Sequence, residues 1–219
     1  MSSPQRYSEF AGRSLGRLAG LSDGVFAVAM TLLVLDLKVP AADGVTSEAD
    51  LARLLGEQAP RLLPYFISFL TLGIFWIGQQ TQLNTHLDRA DRLFSWLHLG
   101  FLCAVTTLPF STALLAEFPD RRLPVGVYWV NLVLLGILLY LALTHAERGG
   151  LLTADADPAA INAQRRRIVG YQVAYAVAAL LCFISPFTSI VALILLQLHS
   201  VISPRRPRLP ARRRPAQDR

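Results

Sequence analysis

Six apolar stretches recur along this chain, at residues 18–37, 62–82, 93–118, 125–145, 168–185 and 187–202. The first five have the roughly 17 or more residues that an α-helix needs to cross a bilayer, and the sixth is slightly short. In hydrocarbon every backbone N–H and C=O must be satisfied within its own segment, so repeated stretches of this length predict helices. The chain is 53% hydrophobic and only 16% charged over 219 residues, too apolar for a soluble domain of this size. The predicted fold is an all-α integral membrane protein with six transmembrane helices. Pro186 and Thr188 separate the last two so tightly that they read as a hairpin.

Positive residues beside membrane helices stay on the cytoplasmic side, which orients the bundle. Arg6, Arg13 and Arg17, then Arg89 and Arg92, then Arg148 and Arg165 to Arg167, and the arginines of the tail make up 16 of the 21 basic residues. Lys38, Arg53, Arg61, Arg121 and Arg122 lie on the other side. Six helices with both termini cytoplasmic satisfy every loop, whereas five or seven would place one arginine-rich end outside. The chain therefore divides into a cytoplasmic N-terminal segment over 1–16, a six-helix transmembrane domain over 17–203 and a basic, disordered cytoplasmic tail over 204–219. A multi-pass protein of the cell membrane is expected, with no secretory signal in its polar first sixteen residues. The proline- and arginine-rich tail suits a juxtamembrane segment held near anionic headgroups, and charge alone does not support nucleic-acid binding.

Enzymatic chemistry has little support. His86, His98, His145 and His199 stand singly, without a second ligand at metal spacing, and no phosphate loop or nucleophile turn is present. Cys103 and Cys182 each lie within a span and read as small apolar core residues. No metal and no cofactor are expected.

The first span is the informative one. Arg17 is followed by Leu21, Ser22 and Asp23, which place a hydroxyl and a carboxylate just inside an otherwise apolar helix. A charge at membrane depth costs several kcal/mol unless it is paired or faces protein or water, so this helix is expected to face its neighbours. At 100° per residue, Leu21, Gly24, Val28, Thr31, Leu32 and Leu35 cluster around the Val28 direction, and Asp23 points about 140° away. Ordinary packing accounts for that aliphatic face, with Thr31 bonding back to its own helix. A pore accounts for it too: rings of apolar side chains close a path by dewetting, and a hydroxyl ring offers oxygen to a passing ion. Asp36, about 80° from Val28, either concentrates cations at the pore mouth or is a solvated interfacial charge.

These residues resemble the bacterial relatives of transmembrane protein 175, the lysosomal potassium channel. The family's Arg-x-x-x-Phe-Ser-Asp is matched by Arg17 to Asp23, with Leu21 in place of Phe, and the likeness continues through Pro40. Tyr65 to Phe69 with Trp76, then Asp91 and Leu108-Pro109-Phe110, are similar to its second and third helices; the last three helices agree only in number and apolar character. The resemblance implies a potassium-preferring cation channel, passive, with K+ as the permeant ion and a homotetramer in which four first helices surround the axis. By position it implies a constriction at Val28, with Thr31 and Leu35 also facing the pore. Arg17, Leu21, Ser22 and Asp23 would then hold helices together, with Gln79, Gln80 and Asp91 as possible polar partners. Two residues depart from the family pattern. Val28 is smaller than the usual Leu or Ile, and Gln79 and Gln80 follow Trp76 where the family tends to place histidine. Glutamine does not change charge, so this polar network is expected to be less sensitive to mild acid. The competing readings are a proton channel or proton-coupled transporter, and a non-transport scaffold recruiting partners through its tail.

Overall fold

The computed structural model of the chain describes residues 3–41 and 45–202, so the expected basic tail lies outside the described residues. Seven α-helices follow one another: α1 Ser3–Leu32, α2 Glu48–Thr81, α3 Arg92–Thr106, α4 Leu108–Glu117, α5 Arg122–Arg148, α6 Pro158–Leu180 and α7 Pro186–Ile202. They form six membrane-scale units, because α3 and α4 are one interrupted span. Five units, Leu15–Asp36, Glu48–Asn84, Arg92–Glu117, Arg122–Arg148 and Pro158–Phe183, are long and apolar enough to cross a membrane. At 1.5 Å per residue the 17 residues of α7 reach about 26 Å, just short of a hydrocarbon core of about 30 Å.

The helix limits depart from the apolar stretches where capping chemistry decides. The expected N-terminal segment is helical from Ser3 and runs without a break into the first span. α2 starts at Glu48, well before its apolar stretch, because Ser47 Oγ accepts the Asp50 N–H and donates to the Asp50 carboxylate. The third stretch is interrupted at Thr107: Pro109 lacks an N–H and occupies the first turn of α4. Asp157 caps α6 by accepting the Ala159 N–H, with Pro158 preset for the first turn. Cys182 is buried as expected, whereas Cys103 faces outward from α3.

α5 is the central post, packed against α3, α4 and α6, with Tyr128, Leu132 and Leu135 buried along it. Around Tyr128 a polar cluster ties four helices together. Its hydroxyl lies 3.0 Å from Thr71 Oγ1 and accepts from Ser68 Oγ at 3.3 Å; Thr112 donates to Ser68 at 2.6 Å, and Gln197 of α7 donates to Thr71. Away from water such bonds hold helices that the hydrophobic effect does not drive together. Close approach of α5 and α6 depends on Gly136: a Cβ there would lie 1.8 Å from Gln172 Nε2, which donates to the Leu132 carbonyl at 3.0 Å.

At the arginine-rich end the loops after α2 and α5 are pinned together by an antiparallel bridge between Leu87 and Leu152. Gly150 makes the turn there at φ 61°, a conformation that favours glycine, and Arg89 donates to its carbonyl at 3.1 Å. Beside them Asp91 caps α3, accepting the Phe94 N–H at 2.7 Å and the His145 Nε2–H at 2.7 Å. Partial burial pushes the Asp91 carboxyl up, but the Phe94 N–H and the His145 ring outweigh it and hold the group below its ordinary value.

Gly136→Ala is expected to push Gln172 off the Leu132 carbonyl and to lower stability by about 1 kcal/mol, read as a lower thermal midpoint in detergent. An unchanged midpoint would mean that α5 and α6 tolerate the methyl. Asp91→Ala is expected to cost about 1 kcal/mol at neutral pH through the lost cap. A carboxyl held below its ordinary value contributes fully above that value and loses its effect as pH falls through the lower folded value. Thermal midpoints of variant and parent measured across pH should therefore keep their gap from pH 7 to about 5 and converge only below about pH 4.

Candidate functional site

α1 has two faces of different character. Ser22, Phe26, Ala29 and Leu33 recur at helical spacing and are buried, with the Phe26 ring 6.0 Å from that of Phe101 on α3. Arg17, Gly20, Leu21, Gly24, Ala27, Val28, Thr31, Leu32 and Leu35 form a stripe on the opposite side, all exposed, Val28 at 57% and Leu35 at 71%. An apolar stripe so open is available to lipid or to another chain.

The polar side of α1 is spent on α2. Ser22 Oγ, fully buried, donates to Gln79 Oε1 at 2.6 Å. Asp23 Oδ1 accepts from Trp76 Nε1 at 2.8 Å and from Gln80 Nε2 at 2.5 Å, and Gln80 Oε1 in turn accepts from Asn84 Nδ2 at 2.7 Å. Two consecutive residues of α1 thus meet two consecutive residues of α2. Trp76 and Gln80 of α2 and Asn84 of the π-helical turn Gln82–His86 that continues it follow at four-residue spacing and form a single polar row. The resemblance marks Trp76 without assigning it a bond, and nothing marks Asn84. Their i, i+4, i+8 spacing is the sequence signal that points to them.

Other expected site residues are placed differently. Arg17 is exposed and has no ion-pair partner among the described residues; it lies about 120° around the helix from Asp23 and extends the Val28 stripe toward the basic end. Asp91, expected near the first-helix motif, instead caps α3 and pairs with His145 of α5. Thr31 Oγ1 donates to the Val28 carbonyl at 2.8 Å, which satisfies its proton within the helix and leaves oxygen lone pairs on the exposed side. Leu33–Asp36 winds as a 3-10 turn. At about 120° per residue this winding keeps Leu35 near the Val28 direction but carries Asp36 about 160° from it, away from the stripe. Asp36 is partly buried in a recess with Lys38, Arg61 and Glu117, where Arg61 pairs with Glu117 at 2.9 Å and Lys38 at 3.7 Å. That placement does not suit a pore mouth. Among the described residues no three His, Cys, Asp or Glu side chains are grouped to hold a metal.

Residues 17–109, which take in α1 from Arg17 onward and the row of Trp76, Gln80 and Asn84, match the family model described as the endosomal/lysosomal potassium channel TMEM175. A potassium channel of Streptomyces collinus is 36% identical over 189 residues, covering 84% of this chain and 90% of that protein. The endosomal/lysosomal proton channel TMEM175 of Gallus gallus is 33% identical over 110 residues, covering 48% of this chain and 22% of that larger protein. The fold is similar to the crystal structure of a lysosomal potassium-selective channel TMEM175 homologue from Chamaesiphon minutus, with a TM-score of 0.74 and 28% identity over 87% of this chain and 98% of that one. Shared along nearly the whole length in both sequence and fold, these features show that the chain belongs to the TMEM175 family.

Proposed function

We propose that the chain is a potassium-preferring cation channel that conducts passively, as a homotetramer with four copies of α1 around the axis. The observation that carries this reading is the division of α1. Its hydroxyl and carboxylate are engaged by α2, and its stripe of Leu21, Val28, Thr31 and Leu35 is left without a partner. Repetition of that stripe around a symmetry axis makes rings of apolar side chains, with Val28 as a neck that closes by dewetting and Thr31 presenting oxygen to the ion. Gly20 and Gly24 on the same stripe allow close approach of helices. Ser22 and Asp23 hold α1 in rotation and do not touch the ion. Arginines concentrated at one end support a cell-membrane protein with both termini cytoplasmic and the basic tail near anionic headgroups. Neither cofactor nor catalytic chemistry enters the mechanism.

Proton conduction is the main alternative, since a vertebrate relative is named a proton channel. Reversal potentials in planar bilayers under separate potassium, sodium and pH gradients distinguish the two. A scaffold role predicts that removal of residues after Ser203 abolishes function, whereas conduction through the helical bundle survives it.

Val28→Trp is expected to reduce potassium flux into liposomes at least tenfold, and Val28→Asn to raise flux while weakening potassium-over-sodium discrimination. Unchanged flux and selectivity in both variants would remove α1 from the pathway. Asp23→Ala leaves the Trp76 and Gln80 donors without their acceptor and is expected to cost about 1 to 3 kcal/mol, seen as a lower thermal midpoint. The channels that survive should keep the parent reversal potential; a shifted potential would place Asp23 in the ion path.

A further inference from the structure

A cavity of about 700 Å³ lies between α2, α5, α6 and α7, on the side of the bundle away from α1. Its lining is mostly apolar, with Ile74, Ile77, Ile168 and the buried Phe75, Leu139 and Tyr175, interrupted by polar side chains that include His86, Gln164 and Gln172. The rim, at Ala160, Ala163 and Arg167, is exposed. From Ala160 to Tyr175 the cavity follows α6 for about 22 Å, of which the stretch from Arg167 to Tyr175 spans about 12 Å, most of the roughly 15 Å depth of one leaflet. On the opposite side of α6 from the cavity, Val169, Val173 and Val177 are exposed as a run of valines, which in a membrane is a face toward lipid.

The polar groups in the cavity wall are not equally available. Gln164 Nε2 donates to the Gly78 carbonyl at 2.9 Å and Gln172 Nε2 to the Leu132 carbonyl at 3.0 Å, so these amides brace the helices. Arg165, outside the cavity lining, is held by Glu147 and by the face of Tyr140. Arg167 has no ion-pair partner among the described residues and stands at the rim of the apolar slot. An uncompensated cation at the mouth of a long apolar slot complements an amphiphile with an anion at one end, and basic pockets between membrane helices recognise lipid headgroups by this chemistry. The sequence beyond Ile202 is strongly basic, with seven arginines against the single Asp218, and so carries mainly the same charge as Arg167.

We propose that this cavity is a binding site for an anionic phospholipid, with one acyl chain in the slot and the phosphate on Arg167. The site does not involve α1 and stands independently of the conduction reading. Native mass spectrometry of the full-length protein in detergent, titrated with phosphatidylglycerol and with phosphatidylcholine of the same chains, tests it. The parent is expected to prefer phosphatidylglycerol about fivefold or more, and Arg167→Gln to remove that preference. Arg166→Gln, the same loss of charge one residue away, should keep it. Ala163→Trp should weaken both lipids by crowding the rim where the headgroup enters, and Ala160→Trp provides a second block should the first lower the thermal midpoint. Inorganic phosphate at matched concentration should not displace the lipid. No lipid preference in the parent, equal losses in Arg166→Gln and Arg167→Gln, unchanged lipid binding in both tryptophan variants, or displacement by phosphate alone would each overturn the assignment.

Discussion

Asp23 brings a carboxylate into an apolar span, and its acceptance of two donors from α2 is the interaction on which the orientation of the first helix depends. Left facing lipid, such a group costs several kcal/mol; bonded to Trp76 and Gln80, it fixes α1 in rotation. Ser22 adds a buried bond to Gln79 next to it, so two contacts define one rotational setting. Every residue on the far side of the helix inherits its direction from that setting. Val28, Thr31 and Leu35 are turned outward because Ser22 and Asp23 are turned inward.

The rest of the bundle follows the same logic with different groups. Lipid chains are as apolar as leucine, so helices in a membrane associate through packing, small residues and shared polar contacts. The Tyr128 cluster, the Gln172 bond across Gly136 and the Gln164 bond to the Gly78 carbonyl are such contacts, and they link α2, α4, α5, α6 and α7. Around α6 this scheme is looser. The amides are spent on carbonyls, the slot between helices stays open, and Arg167 stands at its rim without a counter-charge among the described residues.

Much of this was legible from the order of residues. Hydrocarbon thickness sets the length of a spanning segment, so the apolar stretches were readable one by one, and Ser22 and Asp23 marked the first helix as one with a polar contact to make. Reading an ideal wheel failed where the winding changed. The 3-10 turn over Leu33–Asp36 rotates Asp36 off the Val28 side and into a recess with Arg61 and Lys38. Asp91 was read as a partner of the first-helix motif because of the resemblance, yet its chemistry as a helix cap and the nearness of His145, 54 residues later, place it in another cluster. Arg17 shares a motif with Ser22 and Asp23 but not a face.

The sequence by itself determined the number and approximate extent of the helices, the end of the bundle that carries the arginines, and the existence of a polar spot on the first span, because each follows from local length, charge and periodicity. Tertiary structure alone decided the partners. Which amide meets Asp23, which glycine lets Gln172 reach a carbonyl, and which of three consecutive arginines stands at the rim of a slot all depend on residues about 30 to 90 positions apart being brought within hydrogen-bond or packing distance. No local property encodes those meetings.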